Sequence, residues 1–237
     1  WLAAFSAFAL KSLEIRPDVP GMFLVAAAAA AIIRPGREAG PAAGALLGIA
    51  LWCTPKAAFP AAGLLLGAVW RRTGKDRLRL LGLAALGGGA VAAAGFAYFA
   101  ARGGLEPLWS SYFVFNLGYP GARVSWGWTL KPSLLSDPLM WAAGLWGLRR
   151  WRERPEEAGA LALALAGLAV TPSAYSQHLL FVAPFLAGFA AREAVSWAGT
   201  RRRGFVLAAA LAFSIAAPAA RAVGLIRYGN DLQRERW

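Results

Sequence analysis

Three short segments carry side chains able to do chemistry, in a chain that is otherwise rich in alanine, leucine and glycine. A carboxylate such as Asp18 can take a proton, and cations such as Arg16 and Lys56 can bind phosphate oxygens. Charged groups at the mouth of an apolar helix are costly, so they tend to pair, bind a ligand or take part in a reaction. These residue types suit a phosphate or cation site. The segments are 14–18, 54–56 and 175–178.

Each of these residues also has a structural alternative. Asp18 is a good N-cap for the apolar helix that follows it, which Pro20 near the first turn supports. Arg16 can form a plain salt bridge with Asp18. Lys56 can extend its ammonium toward a membrane interface, and His178 can be a hydrogen-bonded structural residue. The residue types alone therefore leave both interpretations open.

The composition is typical of a membrane protein with several spans. Of the 237 residues, 58% are hydrophobic and 16% are charged, whereas about a quarter of the residues in soluble domains are charged. The formal net charge of +13 raises nucleic acid as a partner. The arginines, however, lie in short clusters between apolar runs rather than along one face, which argues against nucleic-acid binding.

Apolar runs separated by polar breaks predict helices, because a backbone within hydrocarbon must satisfy its own hydrogen bonds. We predict an all-α, polytopic transmembrane bundle of about 8–9 helices. Pro55 is expected to break one long apolar stretch into two, and Asp137, just before Pro138, is expected to cap a later helix. The predicted helices are 1–13, 19–33, 41–54, 57–70, 78–101, 133–148, 158–173, 179–197 and 204–222.

Basic residues divide the junctions between these helices into two sets. Arginine clusters occupy alternate junctions, whereas the junctions between them hold scattered single charges, which is the positive-inside pattern. The clustered side is predicted to be cytoplasmic and to contact anionic lipid headgroups, so Asp18, Lys56 and His178 share the opposite face. The clusters are Arg34 and Arg37; Arg71, Arg72, Lys75, Arg77 and Arg79; Arg149, Arg150, Arg152 and Arg154; and Arg201, Arg202 and Arg203.

The connection 102–132 mixes aromatic residues with glycine and proline. Aromatic rings with polar edges favour the headgroup layer, so this loop is predicted at the non-cytoplasmic interface. It is either a belt that anchors the helices or a lid over a lipid-linked ligand. We interpret residues 1–237 as one transmembrane domain. Because the chain starts inside an apolar run at Trp1, we expect it to be an internal fragment of a longer protein.

The order of the motifs resembles the GT-C superfamily of polytopic glycosyltransferases, in particular the family 39-like protein mannosyltransferases and aminoarabinose transferases. Those enzymes transfer a sugar from a polyprenyl-phosphate donor to an acceptor on the non-cytoplasmic face. The resemblance covers most of the chain as an order of helices and loops. It rests on Glu14-Ile15-Arg16-Pro17-Asp18, on Thr54-Pro55-Lys56 about forty residues later, and on Tyr175-Ser176-Gln177-His178-Leu179-Leu180 opening a late helix.

The resemblance implies a role for a few residues. Asp18 is similar to a supporting catalytic carboxylate of the family, and Lys56, joined by Arg16, is similar to the cations that hold the donor phosphate. The family's principal acidic residue lies in a first outer loop, which we expect to precede Trp1 in a longer protein. The late helix departs from the family's basic-aromatic start. The remaining residues expected at the substrate cavity are Glu14, Tyr175, Gln177 and His178.

The predicted function is therefore a glycosyltransferase in a bacterial inner membrane, with its active site on the periplasmic or extracellular face. Its partners would be a polyprenyl-phosphate sugar, membrane lipids and an acceptor glycan, lipid or protein. No cofactor is predicted with certainty, and a divalent metal is not indicated by any ligand spacing. The alternatives are a permease or flippase component, or a structural subunit of a membrane complex, neither with covalent chemistry.

Overall fold

The structure is a computed structural model that describes residues 17–33, 39–114, 126–170 and 176–198. In these ranges the chain is all-α, as predicted, with nine α-helices, three 3₁₀ turns and one π-helical turn. The helices are α1 Asp18–Ile33, α2 Ala39–Cys53, α3 Ala58–Arg71, α4 Gly74–Ala101, α5 Leu105–Leu108, α6 Trp126–Ser136, α7 Pro138–Gly147, α8 Pro155–Val170 and α9 Ala183–Ala198.

The first helices agree with the predicted segments, and later ones differ in their boundaries. Helices α1, α2 and α3 match 19–33, 41–54 and 57–70 to within two residues at each end. The segment 133–148 is divided between α6 and α7 at Asp137, since Pro138 cannot donate the backbone hydrogen bond that would continue the first helix. Segments 1–13 and 204–222 lie outside the described residues.

The region predicted as the loop 102–132 is partly helical. Helix α5 and the π-helical turn Trp109–Val114 follow α4 closely, and α6 begins at Trp126. Asp137 stands at the N-cap position of α7, but its side chain makes no capping hydrogen bond. The aromatic connection is therefore shorter than predicted, and its central residues 115–125 lie outside the described part of the chain.

Among the described helices, only α4, with 28 residues, is both long and apolar enough to cross a membrane. Helices α1 and α2 are also apolar but have 16 and 15 residues. In the most apolar window of α4, 11% of the residues are buried, so this helix lies mostly at the surface of the described bundle. The all-α class is confirmed, and the number of membrane spans stays a prediction.

Glycines allow two pairs of helices to touch backbone to backbone. A Cβ added at Gly44 of α2 would lie 2.0 Å from the carbonyl oxygen of Ala84 in α4. A Cβ at Gly63 of α3 would lie 2.0 Å from the carbonyl oxygen of Gly159 in α8. Neither position can hold a side chain unless a backbone moves. Small residues at such crossings are typical of helix packing within membranes, where close van der Waals contact replaces the hydrophobic effect.

The connectivity sorts the described residues into two ends of the bundle. The Asp18 end contains Asp18 at the start of α1, and the turns Pro55–Ala57 and Ser176–Leu180, which both contact α1. The Glu156 end contains the ion pair of Arg71 with Glu156 and the ring contact between Trp70 and Trp151. The arginine clusters that the structure describes, at 71–79 and 149–154, lie at the Glu156 end, and which end faces the cytoplasm stays a prediction.

Candidate functional site

Asp18 is buried at the start of α1, with 4% of its surface exposed. The hydroxyl of Thr54 donates a hydrogen bond to Oδ1 at 2.7 Å, and the ammonium of Lys56 donates to Oδ2 at 3.1 Å. Both carboxylate oxygens are thus hydrogen-bonded, and the buried negative charge is balanced by a cation. A buried carboxylate without these partners would carry a large desolvation cost.

The break between α2 and α3 points Thr54 and Lys56 toward α1. Pro55 disfavours a helical conformation in the residue before it, and Thr54 is extended, with φ −160° and ψ 132°. One turn after Asp18, Gly21 lets this segment approach, since a Cβ there would lie 2.8 Å from the methyl carbon of Thr54. The proline and the glycine together bring the three polar side chains into contact.

These contacts show what the Asp18 carboxylate binds in the described structure, and its functional role stays a prediction. Its oxygens accept hydrogen bonds from Thr54 and Lys56, which lie 36 and 38 positions away in sequence, so Asp18 connects two elements. The carboxylate of Asp18 thus binds side chains of another segment rather than capping the backbone N–H groups of α1. Glu14 and Arg16, the other members of that motif, lie outside the described residues.

Lys56 also faces His178. The two residues line a cavity of about 20 Å³ together with apolar side chains that include Phe59 and Phe181. That volume is sufficient for a single water molecule. His178 is buried, with 8% of its surface exposed, in the turn before α9. Tyr175 and the side chain of Gln177 lie outside the described part of the structure.

A much larger cavity, of about 750 Å³, opens between α2, α3 and α4. Its wall is almost entirely apolar and consists mainly of alanine, glycine and leucine, with aromatic rings at one end. Those rings include Trp52, whose centroid lies 6.0 Å from that of Tyr112. Pro55, the neighbour of Lys56, lines the same cavity. Asp18, Thr54 and Lys56 are not among its lining residues, so Pro55 is what connects this cavity to the polar site along the chain.

Tyr112 is the polar group of this aromatic wall. Burial, with a smaller contribution from nearby Cys53, raises the pKa of Tyr112 to about 12. Its phenol is therefore neutral at physiological pH and keeps its hydroxyl proton. A neutral phenol beside an apolar cavity can orient a ligand by a hydrogen bond without adding charge.

No group of three or more His, Cys, Asp or Glu side chains that could hold a metal ion occurs within the described ranges. Asp18 already has two partners, and Lys56 is a cation beside it. The described site therefore offers hydrogen-bond donors and a positive charge. That chemistry fits an anionic oxygen.

The Glu156 end holds buried carboxylates that sequence reasoning missed. Glu156 is fully buried and pairs with Arg71 at 3.4 Å. Glu193 is 1% exposed and pairs with Arg149 at 2.9 Å. Glu157 pairs with Arg192. The signal in the sequence was the presence of glutamates within or beside apolar helices, next to arginines that were interpreted as orientation signals alone.

Thr54 was likewise given no role of its own, although it is the closest described partner of Asp18. Comparison of the chain with protein-family models, with curated proteins and with solved structures gave no match.

Proposed function

We propose that this chain belongs to a membrane glycosyltransferase of the GT-C type, and that its Asp18 end holds the phosphate of a polyprenyl-phosphate sugar donor. The observation that carries the proposal is the contact of Asp18 with Thr54 and Lys56. The resemblance assigned Asp18 and Lys56 to one site from two separate motifs. Their 3.1 Å ion pair supports that assignment.

Lys56 is the group that would contact the donor phosphate. Its ammonium has three N–H donors, and the bond to Asp18 uses one of them. The side chain is 27% exposed, so the ammonium can be reached by a ligand. Charge-assisted hydrogen bonds from an ammonium to phosphate oxygens are among the strong ones. Asp18 and Thr54 act as positioning residues that fix where this cation lies.

In the proposed reaction, the bond between the anomeric carbon of the sugar and the phosphate oxygen breaks, and the acceptor oxygen bonds to that carbon. The polyprenyl phosphate leaves with the bonding electrons, and Lys56 stabilises its negative charge. The acceptor's proton goes to a carboxylate base. The resemblance puts that base in a first outer loop, which is not among the motifs matched here.

The large apolar cavity supports a donor with a hydrocarbon tail. It borders Pro55, the sequence neighbour of Lys56, and we propose that the tail of a donor whose phosphate contacts Lys56 occupies the space between α2, α3 and α4. Tyr112 and Phe113 stand at the aromatic part of the wall, where they can limit the access of water to the sugar–phosphate bond. A soluble nucleotide sugar has no hydrocarbon tail that could fill this apolar cavity.

The membrane setting of the proposal is a multi-pass protein of a bacterial inner membrane. Helix α4 is long and apolar enough to span it, and glycine-mediated helix contacts suit packing in hydrocarbon. The arginine clusters favour a cytoplasmic Glu156 end. The Asp18 end would then face the periplasm or the cell exterior.

The test is sugar transfer by the full-length protein in liposomes, with polyprenyl-phosphate sugars as donors. We expect Lys56→Ala to lower transfer about 100-fold, which is the effect of removing one group that stabilises developing charge. Asp18→Asn should lower transfer by a similar factor, because Lys56 then loses the carboxylate that positions it. Lys131→Ala is the matched control, because Lys131 is an exposed lysine without a described partner in α6. It should transfer sugar at the wild-type rate.

Three further results separate this function from others. Wild-type transfer by both Lys56→Ala and Asp18→Asn would overturn the site. Movement of the lipid-linked sugar across the liposome membrane without a new glycosidic bond would favour a permease or flippase. Lys56→Arg keeps the positive charge and should recover part of the activity, whereas a purely structural ion pair would show its effect in melting temperature alone.

A further inference from the structure

Two tryptophans at the Glu156 end lie against each other on the surface. Trp70 of α3 is 69% exposed, and Trp151, in the turn Leu148–Glu153, is 37% exposed. Their ring centroids are 5.8 Å apart. The ion pair of Arg71 with Glu156 connects the same two parts of the chain. A fixed pair of exposed indoles is an apolar patch, and such patches mark contacts with a partner or a membrane.

The cations around this pair are of two kinds. Arg71 and Arg192 are balanced by glutamates, and Arg72 donates to the backbone carbonyls of Ile32 and Ala68. In the described part of the chain, a second set makes no ion pair or hydrogen bond through its side chains. This set is Lys75, Arg79, Arg152 and Arg154.

Arg152 and Arg154 belong to the same stretch of chain as Trp151. The guanidinium of Arg152 lies over the Trp151 ring, 5.6 Å from its centroid. The backbone N–H of Arg154 donates to the carbonyl of Trp151 at 3.1 Å, at the end of the same turn. Positive charge without a described carboxylate partner is thus held beside exposed indole surface.

We propose that the Trp–Arg surface, formed by Trp70, Trp151, Arg152 and Arg154, binds the headgroup of an anionic phospholipid. The guanidiniums contact the phosphate, and the indoles lie at the level of the glycerol and upper acyl chains, where tryptophan is favoured. The surface is at the opposite end from the donor site and involves no covalent step. It therefore goes beyond the proposed transfer reaction.

The combination of positive charge and exposed apolar surface favours an anionic phospholipid over a nucleic acid as the partner. A nucleic acid would be matched by a continuous basic face, whereas most arginines here are occupied by glutamates or by backbone carbonyls. A phospholipid needs only a local cation beside an apolar surface. The Trp–Arg surface has both a local positive charge and exposed indole rings, so it fits a phospholipid.

The experiment measures melting temperatures of the full-length protein in detergent with added phosphatidylglycerol or with phosphatidylcholine of the same chain length. The anionic lipid should raise the melting temperature of the wild type more than the zwitterionic one, because a lipid that binds the folded state stabilises it. In the variant carrying Arg152→Gln and Arg154→Gln, we expect at least half of that difference to be lost.

The matched control is Arg102→Gln. Arg102 also lies over an aromatic ring, 4.8 Å from the centroid of Tyr98, but it follows the opposite end of α4. This variant should keep the full response to phosphatidylglycerol. A Trp151→Phe variant gives a second readout, since quenching of tryptophan fluorescence by brominated phosphatidylglycerol should fall when this indole is absent.

Four results would overturn the proposal. Both lipids could stabilise the protein equally, or the double arginine variant could respond like the wild type. Glycerol phosphate without acyl chains could give the same stabilisation, which would indicate a site for a free anion. A short DNA duplex could displace the brominated lipid, which would indicate a nucleic-acid surface.

Discussion

The two ends of this bundle both bury carboxylates, but they differ in what surrounds the partner cation. At the Asp18 end, one carboxylate binds a lysine that borders a water-sized cavity, and the neighbouring Pro55 lines a large apolar one. At the Glu156 end, glutamates are paired with arginines that join neighbouring helices. A buried ion pair alone therefore does not mark a functional site. What distinguishes the Asp18 end is a cavity beside Lys56, whose side chain is partly exposed.

The side-chain chemistry fits this contrast. A guanidinium is planar and can bind a carboxylate and a neighbouring group in fixed directions, which suits a connection between helices. An ammonium is a compact charge with rotatable donors, so it can keep one bond to Asp18 and offer others to a ligand. We expect mutations at the Asp18 end to affect turnover first and mutations at the Glu156 end to affect stability first.

The largest effect should come from a change that damages both ends at once. In Gly63→Ala, the new Cβ would lie 2.0 Å from the carbonyl oxygen of Gly159, so α3 and α8 must move apart. We expect unfolding to become easier by about 3 kcal/mol, the upper range for overpacking, with transfer and lipid binding both lost. Size-exclusion chromatography and thermal unfolding would measure this.

Gly82→Ala is the control for that change, because a Cβ at Gly82 would meet nothing within 4 Å. Replacing a helical glycine by alanine at an open position should stabilise by roughly 0.5–1 kcal/mol. If Gly63→Ala were as stable as Gly82→Ala, the close contact of α3 with α8 would be wrong, and with it the fixed separation of the two ends.

The second-largest expected effect comes from a change at the Glu156 end alone. In Arg71→Gln, Glu156 stays fully buried without its cation, and its Oε2 already has no hydrogen-bond partner among the described residues. We expect a loss of about 3 kcal/mol in the free energy of unfolding, because an uncompensated buried charge is costly. Transfer per folded molecule should stay at the wild-type level.

The double variant Arg71→Gln with Glu156→Gln removes the buried charge as well and should recover most of that stability. Chemical denaturation of all three proteins would measure the differences. A loss of turnover per folded molecule in Arg71→Gln, matching that of Lys56→Ala, would remove the distinction between the two ends.

The smallest effect concerns Thr54. Thr54→Val keeps the shape of the side chain but removes the hydroxyl that donates to Asp18 at 2.7 Å. We expect a stability loss of about 1–2 kcal/mol and a roughly tenfold fall in transfer, since Lys56 would be less firmly positioned. Thr54→Ser retains the hydroxyl and should behave like the wild type in both measurements. Equal activity of the two variants would show that Thr54 does not position the site.

The sequence predicted the parts of the fold that depend on local chemistry. Pro55 ends α2 whatever surrounds it, so the break was visible from one residue. The grouping of Asp18 with Lys56 was also predictable, because helices that alternate in direction bring every second junction to the same end. Asp18's hydrogen bond with Thr54 was not, because a hydroxyl near a helix end has many local partners available to it.

Other features depend on contacts that sequence spacing does not specify. Gly40, Gly44 and Gly48 repeat at four-residue intervals, yet alanine- and glycine-rich helices contain such intervals without any close approach. Only the position of α4 shows that Gly44 touches a neighbouring backbone. Likewise, Glu156 could have been an exposed residue at a helix start, and its burial follows from the packing of α8 on α3.

The sequence separations of two individual ion pairs have a consequence for the order in which they form during synthesis. Asp18 and Lys56 are 38 positions apart, whereas Arg71 and Glu156 are 85 apart. During synthesis from the N-terminus, the hairpin of α1 and α2 can close around Asp18 before α8 has been translated. Until α8 arrives, Gly63 and Arg71 lack their partners. The contact of Asp18 with Lys56 could thus form early on the ribosome, whereas the ion pair of Arg71 with Glu156 and the contact of the turn Ser176–Leu180 with α1 would form later.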